Sequence, residues 1–271
     1  MENKRFYLKD LSDKFSDSGA YFEYYNFDHI DFGTSHLKRP AMITVPGGGY
    51  AFVSVREGTP VALKFLIEGF SCFVMTYSVN KQYPIPQLET AFVVNYIYEH
   101  ADEFNVIKEQ INMVGFSAGG HLVGTYAYCY PKLAKILEVD EKHLRPYSVT
   151  LGYALLDLIE YGHDNTTQII TGGDPSLIEK LCVYKHVDKD YPPTVLFATR
   201  HDSVVNVINT ELMDEALIKA GVKHKTLIFE NGEHGGSLYT PGLFETNDFD
   251  FEYYQENRKW PDIVAKFIYS L

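Results

Sequence analysis

The chain is poor in the features that mark several large classes of protein. Three cysteines occur in 271 residues, Cys72, Cys129 and Cys182, widely spaced and in apolar contexts. That usage argues against a disulfide-stapled scaffold and predicts small buried hydrophobes in a reducing compartment. No stretch approaches the ~20 apolar residues that cross a bilayer. The start, Met1 to Phe6, is polar and charged and lacks the apolar core of a secretory leader. The expectation is a cytoplasmic protein with no membrane partner. Cations are scarce too: 24 Lys and Arg stand against 36 Asp and Glu, a formal charge of −12. Without clustered cations to neutralise phosphates, nucleic acid is excluded as a partner, and a neutral small-molecule substrate fits better than an anionic one. Internal repeats, low-complexity tracts and Gly/Ser linkers are also missing. Residues 1–271 therefore read as one domain, long enough to bury a sizeable core.

What the chain does contain is alternation. Apolar runs of strand length alternate with longer segments of helical period, the pattern of a mostly parallel, twisted sheet covered by helices on both faces, the α/β class. Strands are predicted at Ala41–Val45, Cys72–Tyr77, Ile111–Gly115, Val149–Leu155, Thr194–Ala198 and Lys225–Phe229, and helices at Gly58–Gly69, Gln87–Ala101, Ala118–Tyr130, Val207–Ala220 and Trp260–Leu271. The aromatic stretch Tyr21–Tyr25 suits one or two antiparallel edge strands. Ser54 and Glu57 have capping-box spacing ahead of the first helix, Gly69 and Gly221 sit where helices must turn back, and Pro84 and Pro86 hold the chain extended before the second. Residues 157–190 lack a clear strand and suit a small cap with a helix near Ser176–Cys182. Residues 239–255 are acidic and aromatic and read as a solvated loop, with a share in the pocket wall as the lesser alternative.

The most informative segment is Gly115-Phe116-Ser117-Ala118-Gly119, a G-x-S-x-G pattern between an apolar run and a helical one. That context makes it a candidate nucleophile elbow, a sharp strand-to-helix turn that lifts one serine hydroxyl above the sheet. A serine attacks nothing without a base and a means of stabilising the oxyanion it creates. Asp202 follows a predicted strand and would orient the base; a helix cap or turn residue is the bland alternative. His234, bracketed by Gly232 and Gly235 after the last strand, is the candidate base, in the chain order Ser, Asp, His. Of the other histidines, His201 is the runner-up base, and His121, one helical turn beyond Ser117, reads as structural. Gly47-Gly48-Gly49 follows the strand Ala41–Val45, and bare amides there can face a negative oxygen together with the N–H of Ala118. A phosphate cradle is the other use of such a loop, but no Lys-Ser/Thr follows and the G-x-G-x-x-G spacing is not met.

Taken together, Pro46-Gly47-Gly48-Gly49-Tyr50, Arg56-Glu57-Gly58, Tyr77-Ser78-Val79, Tyr83-Pro84-Ile85-Pro86, Gly115 to Leu122, Asp202 and Gly232-Glu233-His234-Gly235 resemble the α/β-hydrolase superfamily. More narrowly they resemble its acetyl-xylan-esterase-like (bacterial depolymerase/feruloyl-esterase-like) branch, near the hormone-sensitive-lipase group. The matching blocks run from about residue 40 to the C-terminus. The resemblance implies Ser117, Asp202 and His234 as a catalytic triad, Gly48, Gly49 and Ala118 as the oxyanion hole, Tyr50 as a substrate contact, and no metal or organic cofactor. It implies hydrolysis of short-acyl esters, acetylated sugars and xylo-oligosaccharides among them. A peptidase, a long-chain lipase and a catalytically silent ligand-binding relative are the alternatives. Pro46 departs from the pattern, since many relatives of the lipase group carry His there, and the segment after His234 is longer and more acidic than the resemblance implies.

Overall fold

Strand-length apolar runs pair side by side into a single open sheet, so that all but the two edge strands have a partner on both flanks. The structure is a computed structural model that describes residues 2–27, 37–244 and 249–271. Its strands are β1 (Glu2–Tyr7), β2 (Tyr21–Asn26), β3 (Arg39–Val45), β4 (Ser71–Thr76), β5 (Val106–Phe116), β6 (Ser148–Gly152), β7 (Thr194–Thr199) and β8 (His224–Phe229). They pair in the order β1-β2-β4-β3-β5-β6-β7-β8. The pairs β1–β2 and β2–β4 are antiparallel and all the others parallel. The aromatic N-terminal stretch thus supplies an antiparallel hairpin at one edge.

The helices are α1 (Leu8–Leu11), α2 (Thr59–Ile67), α3 (Ile85–Glu99), α4 (Ala118–Leu137), α5 (Glu141–Leu144), α6 (Asp164–Thr171), α7 (Pro175–Lys180), α8 (Ile208–Ala220) and α9 (Trp260–Ile268). They divide between the two faces as the strand alternation demands. Ile111 and Met113 of β5 join Val94 of α3, Leu122 of α4 and Leu217 of α8 in one core. Val114 and Phe116, pointing the other way, join Phe65 of α2 and Trp260 of α9 in the second. Trp260 stacks on Phe197 at 4.5 Å and meets the edge of Phe116 at 5.7 Å. A ring so enclosed contributes through area and geometry together.

Several boundaries differ from expectation for identifiable reasons. Ser54 makes no side-chain capping bond, and α2 starts after Gly58, past a 3₁₀ turn at Val55–Glu57. The carboxylate expected to cap it is turned into the interior. Pro86 lies inside the first turn of α3 and not ahead of it, a position where a missing N–H costs nothing. Helix α4 runs through Pro131 to Leu137 because Leu133 and Ala134 remain buried beyond the proline. Strand β6 stops at Gly152, where the chain turns out of the sheet through Tyr153 at φ 33°. Gly69 and Gly221 do end their helices with positive φ, 97° and 70°. Cys72, Cys129 and Cys182 are buried free thiols. No helix among the described residues is long and apolar enough to span a membrane.

Candidate active site

Parallel strands deliver their following loops to one edge of the sheet, and the loops after β3, β5, β7 and β8 meet there. The loop after β5 is the sharpest. Ser117 has φ 52° and ψ −120°, a conformation that L-residues adopt at a cost of ~1–3 kcal/mol and that surrounding packing must hold. Gly119 shows what that packing is: a Cβ added there would lie 2.3 Å from the carbonyl oxygens of both Val45 and Pro46. Strand β3 and helix α4 touch through bare backbone, and any side chain at that point would pry them apart.

The serine hydroxyl is met by a ring from the other end of the sequence. His234 Nε2 lies 2.9 Å from Ser117 Oγ, and its Nδ1 lies 2.7 Å from Asp202 Oδ2. A carboxylate can only accept, so Nδ1 carries the hydrogen and Nε2 is the acceptor for the serine proton. Asp202 is fully buried at its side chain, while the His234 ring keeps 16% of its surface exposed. The other Asp202 oxygen accepts the N–H groups of Val204 and Val205, each at 2.8 Å. That turn is the capping role the sequence also allowed for Asp202. One oxygen performs it and leaves the other for the histidine.

The loop after β3 forms the facing wall. Gly48 has φ 126°, and a Cβ there would fall 2.1 Å from the Phe52 carbonyl oxygen, so the turn closes on glycine alone. The Ala118 N–H opens α4 and so has no partner within its own helix. Gly48, Gly49 and Ala118 all line a cleft of about 280 Å³ that also holds Ser117 and His234. Leu155 and Val205 give it an apolar side.

Other expected residues fall elsewhere. Tyr50, expected to touch substrate, is wholly buried, and its hydroxyl lies 2.8 Å from His121 Nδ1. The turn that brings Gly48 and Gly49 to the cleft continues through Tyr50 at φ 59° and leaves this ring in the core. His121 bonds through Nε2 to the Leu181 carbonyl at 3.0 Å, so Nε2 is protonated and Nδ1 accepts from Tyr50. Burial pushes its pKa down to about 4, and the ring is neutral. His201 is exposed and faces Glu230 at 3.2 Å, outside the cleft. No cluster of His, Cys, Asp and Glu able to hold a metal occurs among the described residues.

Sequence reasoning missed part of the wall. His163, Asn165 and Thr166, at the start of α6, line the cleft, within the segment read as a small cap. The His163 side chain meets Thr166 Oγ1 at 2.9 Å, which fixes that end of the helix. Of the acidic segment after His234, residues 245–248 lie outside the described residues. Its described part holds the histidine loop: Tyr239 donates to the Glu233 carbonyl at 3.2 Å, and Tyr254 donates to the Glu233 carboxylate at 2.9 Å. Glu57 is the other surprise. It is 3% exposed, lines the cleft, and accepts from the Gly47 amide and the Tyr153 hydroxyl, each at 2.7 Å. The S-x-x-E spacing pointed to a helix cap; only the fold brings Gly47 to the carboxylate.

The chain has relatives among known proteins. The sequence profile of the BD-FAE family matches residues 33–217. Endo-1,4-beta-xylanase B of Butyrivibrio fibrisolvens is 29% identical over 217 residues, 77% of this chain and 34% of that protein. Acetylxylan esterase of Xylanibacter ruminicola is 25% identical over 206 residues, 72% of this chain and 40% of that protein. The chain therefore spans well under half the length of these two relatives. The crystal structure of an acetyl ester-xyloside bifunctional hydrolase from Caldicellulosiruptor lactoaceticus superposes with a TM-score of 0.77 at 28% identity, covering 93% of this chain and 88% of the other. The fold is that of an α/β-hydrolase.

Proposed function

The chain belongs to the BD-FAE family, and we propose that it is a serine esterase that hydrolyses short-acyl carboxylic esters, acetyl esters of sugars among them. The observation that carries this reading is the continuous hydrogen-bonded run from Asp202 through His234 to Ser117 beside the glycine loop. On this reading Ser117 Oγ attacks the ester carbonyl while His234 Nε2 takes its proton, and Asp202 stabilises the imidazolium that results. The tetrahedral oxyanion is bound by the amides of Gly48, Gly49 and Ala118, each such donor being worth about 3 kcal/mol of barrier. The alcohol leaves with the proton from His234. Water, deprotonated by the same nitrogen, then releases the acid and restores the serine.

The size of the cleft supports a small acyl group. About 280 Å³ falls just below the ~300 to ~1,000 Å³ of ordinary ligand pockets. Leu155 and Val205 offer the acyl methyl an apolar side, while His163, Asn165 and Thr166 offer hydrogen bonds to a hydroxylated alcohol. The names of the relatives, with xylan and acetyl esters in them, agree with a sugar on that side.

The test is a panel of p-nitrophenyl esters from acetate to palmitate, with acetylated xylo-oligosaccharides and a peptidyl anilide, each run against Ser117→Ala as the blank. The expected pattern is fast acetate turnover, decline with chain length, release of acetate from the oligosaccharides and no anilide cleavage. Preference for palmitate or for the anilide would replace the proposal with a lipase or a peptidase. Inactivity on every ester would leave a ligand-binding protein.

A further inference from the structure

A carboxylate buried beside a histidine–aspartate pair needs a reason, because removing a charge from water is costly unless its oxygens are fully bonded. Glu57 meets that condition through two different loops. Its Oε2 accepts the N–H of Gly47, the residue that leads into the glycine loop. A Cβ built on Gly47 would lie 2.9 Å from Ser117 Cβ, so this amide belongs to the backbone packed directly on the serine. Its Oε1 accepts the Tyr153 hydroxyl. That hydroxyl oxygen in turn accepts the N–H of Ser237, three residues past His234, at 3.2 Å. The Tyr153 ring stands edge-on to the His234 imidazole, centroids 5.0 Å apart. The hydroxyl of Ser237 returns to the Arg56 carbonyl at 2.7 Å, closing the circuit beside Glu57.

We infer that Glu57 is a positioning residue: through Gly47 and through Tyr153 it fixes the glycine loop and the histidine loop to each other, setting the distance across which an oxyanion forms. This rests on the esterase reading above. The ionised form is the one that suits the geometry. Both neighbours, the Gly47 N–H and the Tyr153 O–H, donate to it, and a protonated oxygen would have only the Tyr153 oxygen to donate to, which already accepts from Ser237. Burial raises the Glu57 carboxyl on balance above its ordinary value, although the bonds from Tyr153 and Gly47 and the proximity of His234 and Arg56 oppose the shift. Glutamine is a poor replacement: with its carbonyl oxygen on the Gly47 N–H, its NH₂ meets the Tyr153 oxygen as a donor, so the tyrosine hydroxyl loses its acceptor and its oxygen is shared with the Ser237 N–H. The charge and the direction of that bond are lost while side-chain volume is retained.

The experiment measures kcat and KM for p-nitrophenyl acetate per active site, counting sites by fluorophosphonate titration so that misfolded protein drops out. Wild-type turnover that vanishes in Ser117→Ala is established first, so failure of the esterase reading shows before any Glu57 variant is made. For Glu57→Gln, kcat per titrated site should fall by about 10- to 100-fold, short of the loss from deleting an oxyanion donor outright, with KM within about twofold. Tyr153→Phe, which cuts only the histidine-loop end, should lose about three- to tenfold in kcat. The double variant should lose less than the product of the two, because both lie on one chain of bonds. A Glu57→Gln enzyme with kcat per site within twofold of wild type overturns the inference, as do losses that multiply. If Glu57→Gln does not fold, Tyr153→Phe decides: the stated fall in kcat at constant KM supports the linkage, and an unchanged kcat overturns it.

Discussion

Two histidines near the carboxyl edge of the sheet have the same number of partners and opposite environments. His121 and His234 each have both ring nitrogens hydrogen-bonded. His121 lies in the core between a tyrosine hydroxyl and a backbone carbonyl, with no surface exposed. His234 lies at the cleft, between a carboxylate and a serine hydroxyl. The partners decide what each ring can do. A dry ring with two neutral partners cannot hold a second proton, and burial keeps His121 near a pKa of about 4. A ring backed by a buried carboxylate can accept a proton from its other partner and be stabilised as it does so. Bonding a histidine completely makes a strut in one place and a candidate base in the other.

The sharpest way to break that contrast is to remove the charge behind His234. Asp202→Asn keeps the shape but presents an amide to Nδ1, favouring the wrong tautomer. By analogy with serine proteases, kcat should fall about 10⁴-fold with stability little changed. Steady-state ester hydrolysis with a parallel melting curve reads both. A fall below tenfold would mean the carboxylate is not the partner that matters.

The contrast sharpens at the buried ring. Tyr50→Phe leaves His121 Nδ1 a buried acceptor without a donor, at a cost of about 1–3 kcal/mol, while kcat per titrated site should stay within about threefold. Denaturant midpoints and active-site titration separate the two. A lower affinity for ester with no loss of stability would restore Tyr50 as a substrate contact. The sign of the pH dependence follows from the same ring. The folded pKa is lowered from 6.5 to about 4, so unfolding takes up a proton in that window. Stability from this group is complete above pH 6.5 and falls toward pH 4, by up to about 1.4 kcal/mol per pH unit. Stability that rises on acidification through this range would contradict a neutral His121.

The smallest effect belongs to His201. Its contact with Glu230 is solvated, so His201→Ala should leave kcat within twofold and stability within ~0.5 kcal/mol. A large loss would put the base on the wrong loop.

The parts of this architecture that were legible in the sequence are those set by local sterics. Gly115 and Gly119 around Ser117 announce a strand that must turn at once into a helix, and the apolar runs before Asp202 and His234 place both on loops at the same sheet edge. What escaped depends on partners remote in the chain. Glu57 has the spacing of a capping box, and whether it caps or turns inward is decided by Gly47 and Tyr153. Tyr50 follows three glycines whose turn, not composition, sends its ring inward. The start of α6 carries no periodic apolar signal strong enough to mark a pocket wall, because His163, Asn165 and Thr166 matter for where the fold puts them.

The most direct test of the central claim is the rate at which a fluorophosphonate modifies the protein, followed by intact mass and peptide mapping. One adduct on Ser117 is expected, absent from Ser117→Ala and slowed by orders of magnitude in His234→Ala. An adduct on another residue, or His234→Ala labelling as fast as wild type, would show that the imidazole 2.9 Å from Ser117 does not activate it.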